Sequence, residues 1–204
     1  MKNLLFATLV ALATCSCSKD DSPPDPASLL PAETQTGANT FGCLANGKLL
    51  KPRDGAYTFG GASQGMILWG GYPSLAYNEI DVHDYKSPRT AEILIHIHAL
   101  DQRGVGSYII DESNGYSSID GLNHTYMHCR VFDEASKSYK FYRSFANSGT
   151  IRITRFEYIP SMTRIVSGTF SGRVRSTSNP NDEIDIKLGR FDINGFTLPV
   201  KVFP

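Results

Sequence analysis

Between Arg164 and Ser176 the chain alternates with a period of two. Val166, Gly168, Phe170, Gly172 and Val174 fall on one face, and Ser167, Thr169, Ser171, Arg173 and Arg175 fall on the other. A strand with one buried and one wet face needs that period; a helix, with 3.6 residues per turn, does not. The pattern recurs where Ile184, Ile186 and Leu188 alternate with Glu183, Asp185 and Lys187. It recurs again at Ile151 and Ile153 against Arg152 and Thr154, and at Ile93, Ile95, Ile97 and Ala99 against His96 and His98. Half-buried alternating strands belong to antiparallel sheets.

Turn chemistry separates these runs. Asn46-Gly47 sits between Leu44-Ala45 and Lys48-Leu49, and Asn-Gly supplies the two positive φ angles that a tight hairpin turn requires. Gly60-Gly61, Gly70-Gly71, Asn114-Gly115, Asp120-Gly121 and Asn194-Gly195 mark further turns. Strands are expected near residues 40–45, 48–51, 57–60, 66–70, 79–85, 92–100, 106–111, 126–133, 139–146 with 150–158, and 164–176 with 183–193. The fold class that follows is all-β, a single antiparallel β-sandwich or barrel domain of about ten strands. Alternation does not choose between those two architectures. Hydrophobic residues at 41% and aromatics at 11% suffice for its core. Twenty Lys and Arg balance twenty Asp and Glu, so the overall charge gives no reason to expect a nucleic-acid partner.

The start of the chain reads as an address. Lys2 precedes an apolar stretch from Leu4 to Ala13, too short to span a bilayer and suited to a signal peptide. Cys15 and Cys17 follow, and the small Ser16 before Cys17 resembles a bacterial lipoprotein processing site, with Cys15 as the alternative. Ser18-Lys19-Asp20-Asp21 resembles the acidic export signal of Bacteroidetes surface lipoproteins; read blandly, it is a solvated tether. The division expected is a signal peptide over 1–16, a lipidated, extended linker over 17–39, and a β domain over 40–204. Four prolines, Pro23, Pro24, Pro26 and Pro31, and few bulky apolar side chains predict that the linker stays extended or disordered. Acyl chains such as palmitate on Cys17 would tie the chain to the outer membrane, facing outward.

A family resemblance rests on three blocks. Leu30-Pro31-Ala32-Glu33-Thr34-Gln35-Thr36-Gly37-Ala38-Asn39-Thr40-Phe41-Gly42 runs on to Asn46-Gly47-Lys48. Gly149–Thr154 with Ile165–Phe170 is the second block, and Gly189-Arg190-Phe191-Asp192-Ile193 the third. Together they resemble a family of Bacteroidetes cell-surface lipoproteins of unknown function. Ala32 stands where that family has a second proline, and the chain runs past Ile193 to Pro204. The resemblance implies a secreted, lipid-anchored, all-β domain and carries over no catalytic residue.

Candidate chemistry is sparse. His96 and His98 project from one strand face, with His124, His128 and Cys129 elsewhere, so a metalloprotein built on that face is one reading. An exposed strand face that happens to carry imidazoles is the other, and no metal is expected. Cys43 and Cys129 could pair outside the cytoplasm or remain separate buried thiols. No nucleophile elbow, His-Glu-x-x-His or phosphate loop occurs, so neither catalytic residues nor a cofactor are expected. Trp69, Tyr72 and Tyr77 offer flat rings of the kind that stack on sugars, although core packing is the commoner use of such residues. The reading reached is a non-enzymatic module binding a ligand, with a glycan preferred, or an envelope protein. A structural subunit of an extracellular assembly is the alternative.

Overall fold

The computed structural model describes residues 23–58, 61–70, 76–86, 89–159 and 162–204. Cys17, the Ser18–Asp21 signal and Tyr72 lie outside them. The fold is all-β. Its strands are β1 (Thr40–Ala45), β2 (Lys48–Leu50), β3 (Tyr57–Thr58), β4 (Gly61–Ala62), β5 (Met66–Gly70), β6 (Tyr77–Asp84), β7 (Ala91–His98), β8 (Gly106–Ile110), β9 (Tyr126–Asp133), β10 (Ser138–Arg143), β11 (Gly149–Ile159), β12 (Met162–Ser176) and β13 (Glu183–Asn194). One helical turn, α1 (Leu100–Arg103), links β7 to β8.

Eleven strands form a single antiparallel sheet, in the order β2-β1-β13-β12-β10-β9-β7-β6-β5, with β11 on β12 and β8 on β11. The sheet curls into a half-barrel, in keeping with the single antiparallel all-β domain expected from the alternation. β3 and β4 make a separate two-stranded ribbon. The sheet forks at β12. Its first part pairs with β11 as far as Gly172, and its end, Arg175 and Ser176, pairs with Arg143 and Tyr142 of β10. Glycine permits that fork: a Cβ on Gly172 would lie 2.9 Å from both Met127 Cε and the Ser148 carbonyl.

The alternation places the core on the concave side. Ile80, Val82, Ile93, Ile95, Ile97, Met127, Ile151, Val166, Phe170, Ile186 and Ile193 are buried together there. Asn46 and Gly47 both take positive φ, 50° and 76°, as the hairpin reading requires. The residues beyond β13 fold back. Phe203 is buried, donates its N–H to Asp54 Oδ2 at 2.9 Å and accepts from Asp54 N at 3.0 Å. Nearby, Arg53 grips Asp84 with two hydrogen bonds, 2.6 and 2.7 Å.

Residues 30–39, which the sequence places in the linker, lie along the convex side of β12 and β13. Asp192 organises them. It accepts from Thr34 Oγ1 (2.7 Å), Thr36 N (2.9 Å), Thr36 Oγ1 (3.3 Å), Gly37 N (2.8 Å) and Ala38 N (3.1 Å), with Ser167 Oγ at 2.7 Å from within the sheet. Burial would raise the Asp192 pKa, but these donors outweigh it and hold the carboxyl down to about 2. Asn39 extends the strap, accepting from Asn194 N and donating to Thr197 Oγ1, each at 2.8 Å. Hydrogen bonding to one carboxylate, rather than apolar burial, orders this stretch. Residues 34–38 and Asp192, from two of the blocks behind the family resemblance, meet here, with Ser167 of the remaining block.

Candidate functional site: a buried carboxylate and imidazole under the 111–125 loop

The convex faces of β5, β6, β7 and β9 form rows set by register. Trp69, Glu79, His96 and Tyr126 stand in one row, because Trp69 pairs with Glu79, Glu79 with His96 and His96 with Tyr126. Tyr77 and His98 face each other in the next row. Alternation predicts a wet face here, yet Glu79 is 0% exposed and His96 2%. The segment between β8 and β9 covers them. Ser118 N donates to Glu79 Oε1 at 2.6 Å, and Tyr126 donates its hydroxyl to the Tyr116 carbonyl at 2.7 Å. A Cβ on Gly121 would stand 2.5 Å from the Tyr126 hydroxyl and 2.9 Å from His96 Cε1, so this cover presses directly on the pair.

His96 Nδ1 lies 2.7 Å from Glu79 Oε1. Around it the rings stack: Tyr77 and His96 at 5.1 Å, His96 and Tyr126 at 4.5 Å and 6°, Tyr126 and His128 at 6.0 Å. Glu79 Oε2 is buried and has no hydrogen-bond partner among the described residues. A carboxylate oxygen left so costs on the order of 1–3 kcal/mol, which makes the pair a site of unmet polar demand. Beside it a pocket of about 150 Å³ is lined by Tyr77, His96, His98, Ser118, Ile119 and Asn123, among others.

The electrostatics are local. Burial, with His96 and Arg103 close by, lowers the His98 pKa, and burial likewise lowers that of His128. Burial would lower His83 too, but its hydrogen bonds to Asp81 and Glu92 outweigh this and raise it to about 9. Burial, followed by the charge on Glu79, pushes the Tyr126 phenol up, which keeps it a donor.

Of the residues singled out from sequence, the structure brings His96, His98, Trp69 and Tyr77 to one face. Trp69 is 47% exposed on the edge strand β5, whereas Tyr77 is half-buried against His96. His124 and His128 do not join the pair: His124 Nε2 lies 2.7 Å from the Glu112 carbonyl and His128 Nδ1 3.1 Å from Ser113 Oγ. Among the described residues no three potential metal ligands come together. Cys43 and Cys129 are free and buried, and burial pushes the Cys129 thiol up to about 12 and that of Cys43 higher still. Sequence reasoning missed Glu79. Its signal was its place two residues after Tyr77 on a strand whose other face reads Ile80, Val82.

A larger cavity of about 300 Å³ opens between the β1–β2 and β9–β10 hairpins, against Leu50, Ala91, Val131 and Tyr142. Its acids are satisfied: Asp84 by Arg53, Asp133 by Lys140 and Glu134 by Lys137. Glu79 Oε2, by contrast, has no hydrogen-bond partner among the described residues. Comparison with protein-family models, with curated proteins and with solved structures finds no match to the chain.

Proposed function

We propose that the chain is a lipoprotein of the outer membrane, tethered through Cys17 and facing outward, that holds a glycan without turning it over. The observation that carries the binding reading is the half-exposed Trp69 in register with Glu79, with Tyr77 diagonal to it, about 7–8 Å away by strand geometry. Flat rings take the C–H faces of a sugar, and the pocket by His96, His98 and Asn123 offers polar partners for its hydroxyls. The full burial of Glu79 supports holding over catalysis, because a general acid or base must reach the proton it moves. The anchoring half of the proposal rests on the leader, Cys17 and the Ser18–Asp21 segment.

Both halves are tested together on intact cells making the full chain, incubated with fluorescent neutral glycans and washed. Wild-type cells are expected to label, and Trp69→Ala cells to lose at least about nine-tenths of the label. Cys17→Ser cells are expected to lose it because the protein leaves the membrane. Labelling that persists in Trp69→Ala removes the platform, and a Cys17→Ser chain that stays on the cells removes the anchor.

A further inference from the structure

The convex faces of β11, β12 and β13 carry a second concave site, remote in register from the Trp69 row. Arg152 on β11 pairs with Thr169 on β12, and Thr169 pairs with Arg190 on β13. Neighbouring strands lie about 4.8 Å apart, so two guanidinium stems rise roughly 10 Å from each other with a hydroxyl between them. The next row adds Thr150 opposite Ser171. These five side chains line an open concavity of about 390 Å³, with Leu188 and Glu33 on its wall. Leu188 has φ 53°, a left-handed conformation that is costly for a leucine, so backbone strain is held at the site.

Charge accounting leaves Arg143 and Arg152, and of these two only Arg152 lines the groove. Residues 137–175 hold eight Lys and Arg and one acid, Glu157. Six of the eight are engaged: Lys137 by Glu134, Lys140 by Asp133 and Asp182, Arg155 and Arg164 by Glu157, Arg173 and Arg175 by Glu183. Arg152 is exposed and makes no ion pair among the described residues. Arg190 donates to the Pro31 carbonyl at 3.3 Å, and its nearest acid is Glu33, 3.9 Å away on a side chain 62% exposed. A carboxylate already rests loosely at this groove.

We propose that the groove binds the carboxylate or sulfate groups of an acidic polysaccharide. Arg152 and Arg190 act as its two forks, the hydroxyls of Thr150, Thr169 and Ser171 meet the sugar hydroxyls, and Glu33 is the internal carboxylate that the ligand displaces. Guanidinium forks suit planar oxyanions. An anionic bilayer is a poorer fit, because it reads a broad basic field and six of the eight cations already have a carboxylate beside them. The inference is independent of the Trp69 platform.

Affinity electrophoresis of the full chain through gels containing polygalacturonate, dextran sulfate or neutral dextran tests it, beside sedimentation with phosphatidylglycerol vesicles. At low salt the acidic polymers are expected to retard the protein and dextran is not. Arg152→Gln weakens retardation by about tenfold at an unchanged melting temperature, and Glu33→Gln strengthens it by about threefold. Arg164→Gln, which removes the same charge away from the groove, leaves it unchanged. Absence of retardation by both acidic polymers overturns the proposal. So does equal weakening by Arg152→Gln and Arg164→Gln, which means net charge alone, and so does sedimentation with vesicles without any polymer retardation.

Discussion

Asp192 and Glu79 both sit on the convex face of the sheet, 1% and 0% exposed, and the chain treats them differently. Asp192 collects six hydrogen bonds on two oxygens, five of them from the incoming strap. Glu79 has one oxygen shared by His96 and Ser118 and another with no partner among the described residues. The first carboxylate is spent on structure, because five of its six hydrogen bonds order residues 34–38. The second keeps capacity that the fold does not consume. A buried acid becomes a rivet or a site according to how many donors the backbone brings to it.

Breaking the rivet gives the largest effect. Asp192→Asn puts an amide among donors and is expected to lower stability by about 3 kcal/mol in urea unfolding and to open residues 30–39 to protease. A loss under about 1 kcal/mol would mean that the strap stays ordered without the charge. The same group sets an acid limb. Its folded pKa of about 2 lies below the unfolded value near 3.9, so its contribution is complete above about pH 4 and is lost as pH falls towards 2. The Asp192→Asn variant should lack that slope.

Gly47→Val calibrates what backbone strain alone costs. A Cβ there meets nothing within 4 Å, so the expected loss of about 1 kcal/mol is purely conformational and is read as a lower melting temperature. Smallest of all should be Glu79→Gln, within about 0.5 kcal/mol of wild type. Weaker bonds to His96 and Ser118 offset relief of the oxygen that has no donor. A loss as large as that of Asp192→Asn would make Glu79 a second rivet and erase the contrast.

The strands were legible because a period of two is imposed by the pleat itself. Ile93, Ile95 and Ile97 or Val166, Phe170 and Val174 point inward wherever the sheet lies. Asn46-Gly47 was legible because few residues tolerate two consecutive positive φ angles. The short β4 was missed because two residues carry no period. The sequence predicts only an extended or disordered linker at the strap, because Thr34-Gln35-Thr36-Gly37 has nothing apolar to bury and its partner Asp192 lies over 150 residues away. His96 was assigned to a wet face for a related reason. Alternation reports which side of the sheet a residue occupies, and it is silent on whether the 111–125 segment returns to cover that side. Contacts written in one strand could be read; contacts between a loop and a distant face could not.

The pairing of β1 with β13 has a consequence for the order of events in folding. Thr40 meets Asp192 and Phe41 meets Phe191, so the first strand of the sheet waits for the last. β13 also lies between β1 and the forked β12, and a chain lacking its final stretch has no seam along which the amino-terminal hairpin can join. During synthesis the β5–β6–β7 hairpins can form on their own, while β1 has only β2 as a partner, and the strap lacks Asp192, until residues 183–194 have been made. Closure of so long a loop makes acquisition of the native state slow, and it makes the interval before β13 emerges the period of greatest exposure to aggregation and proteolysis.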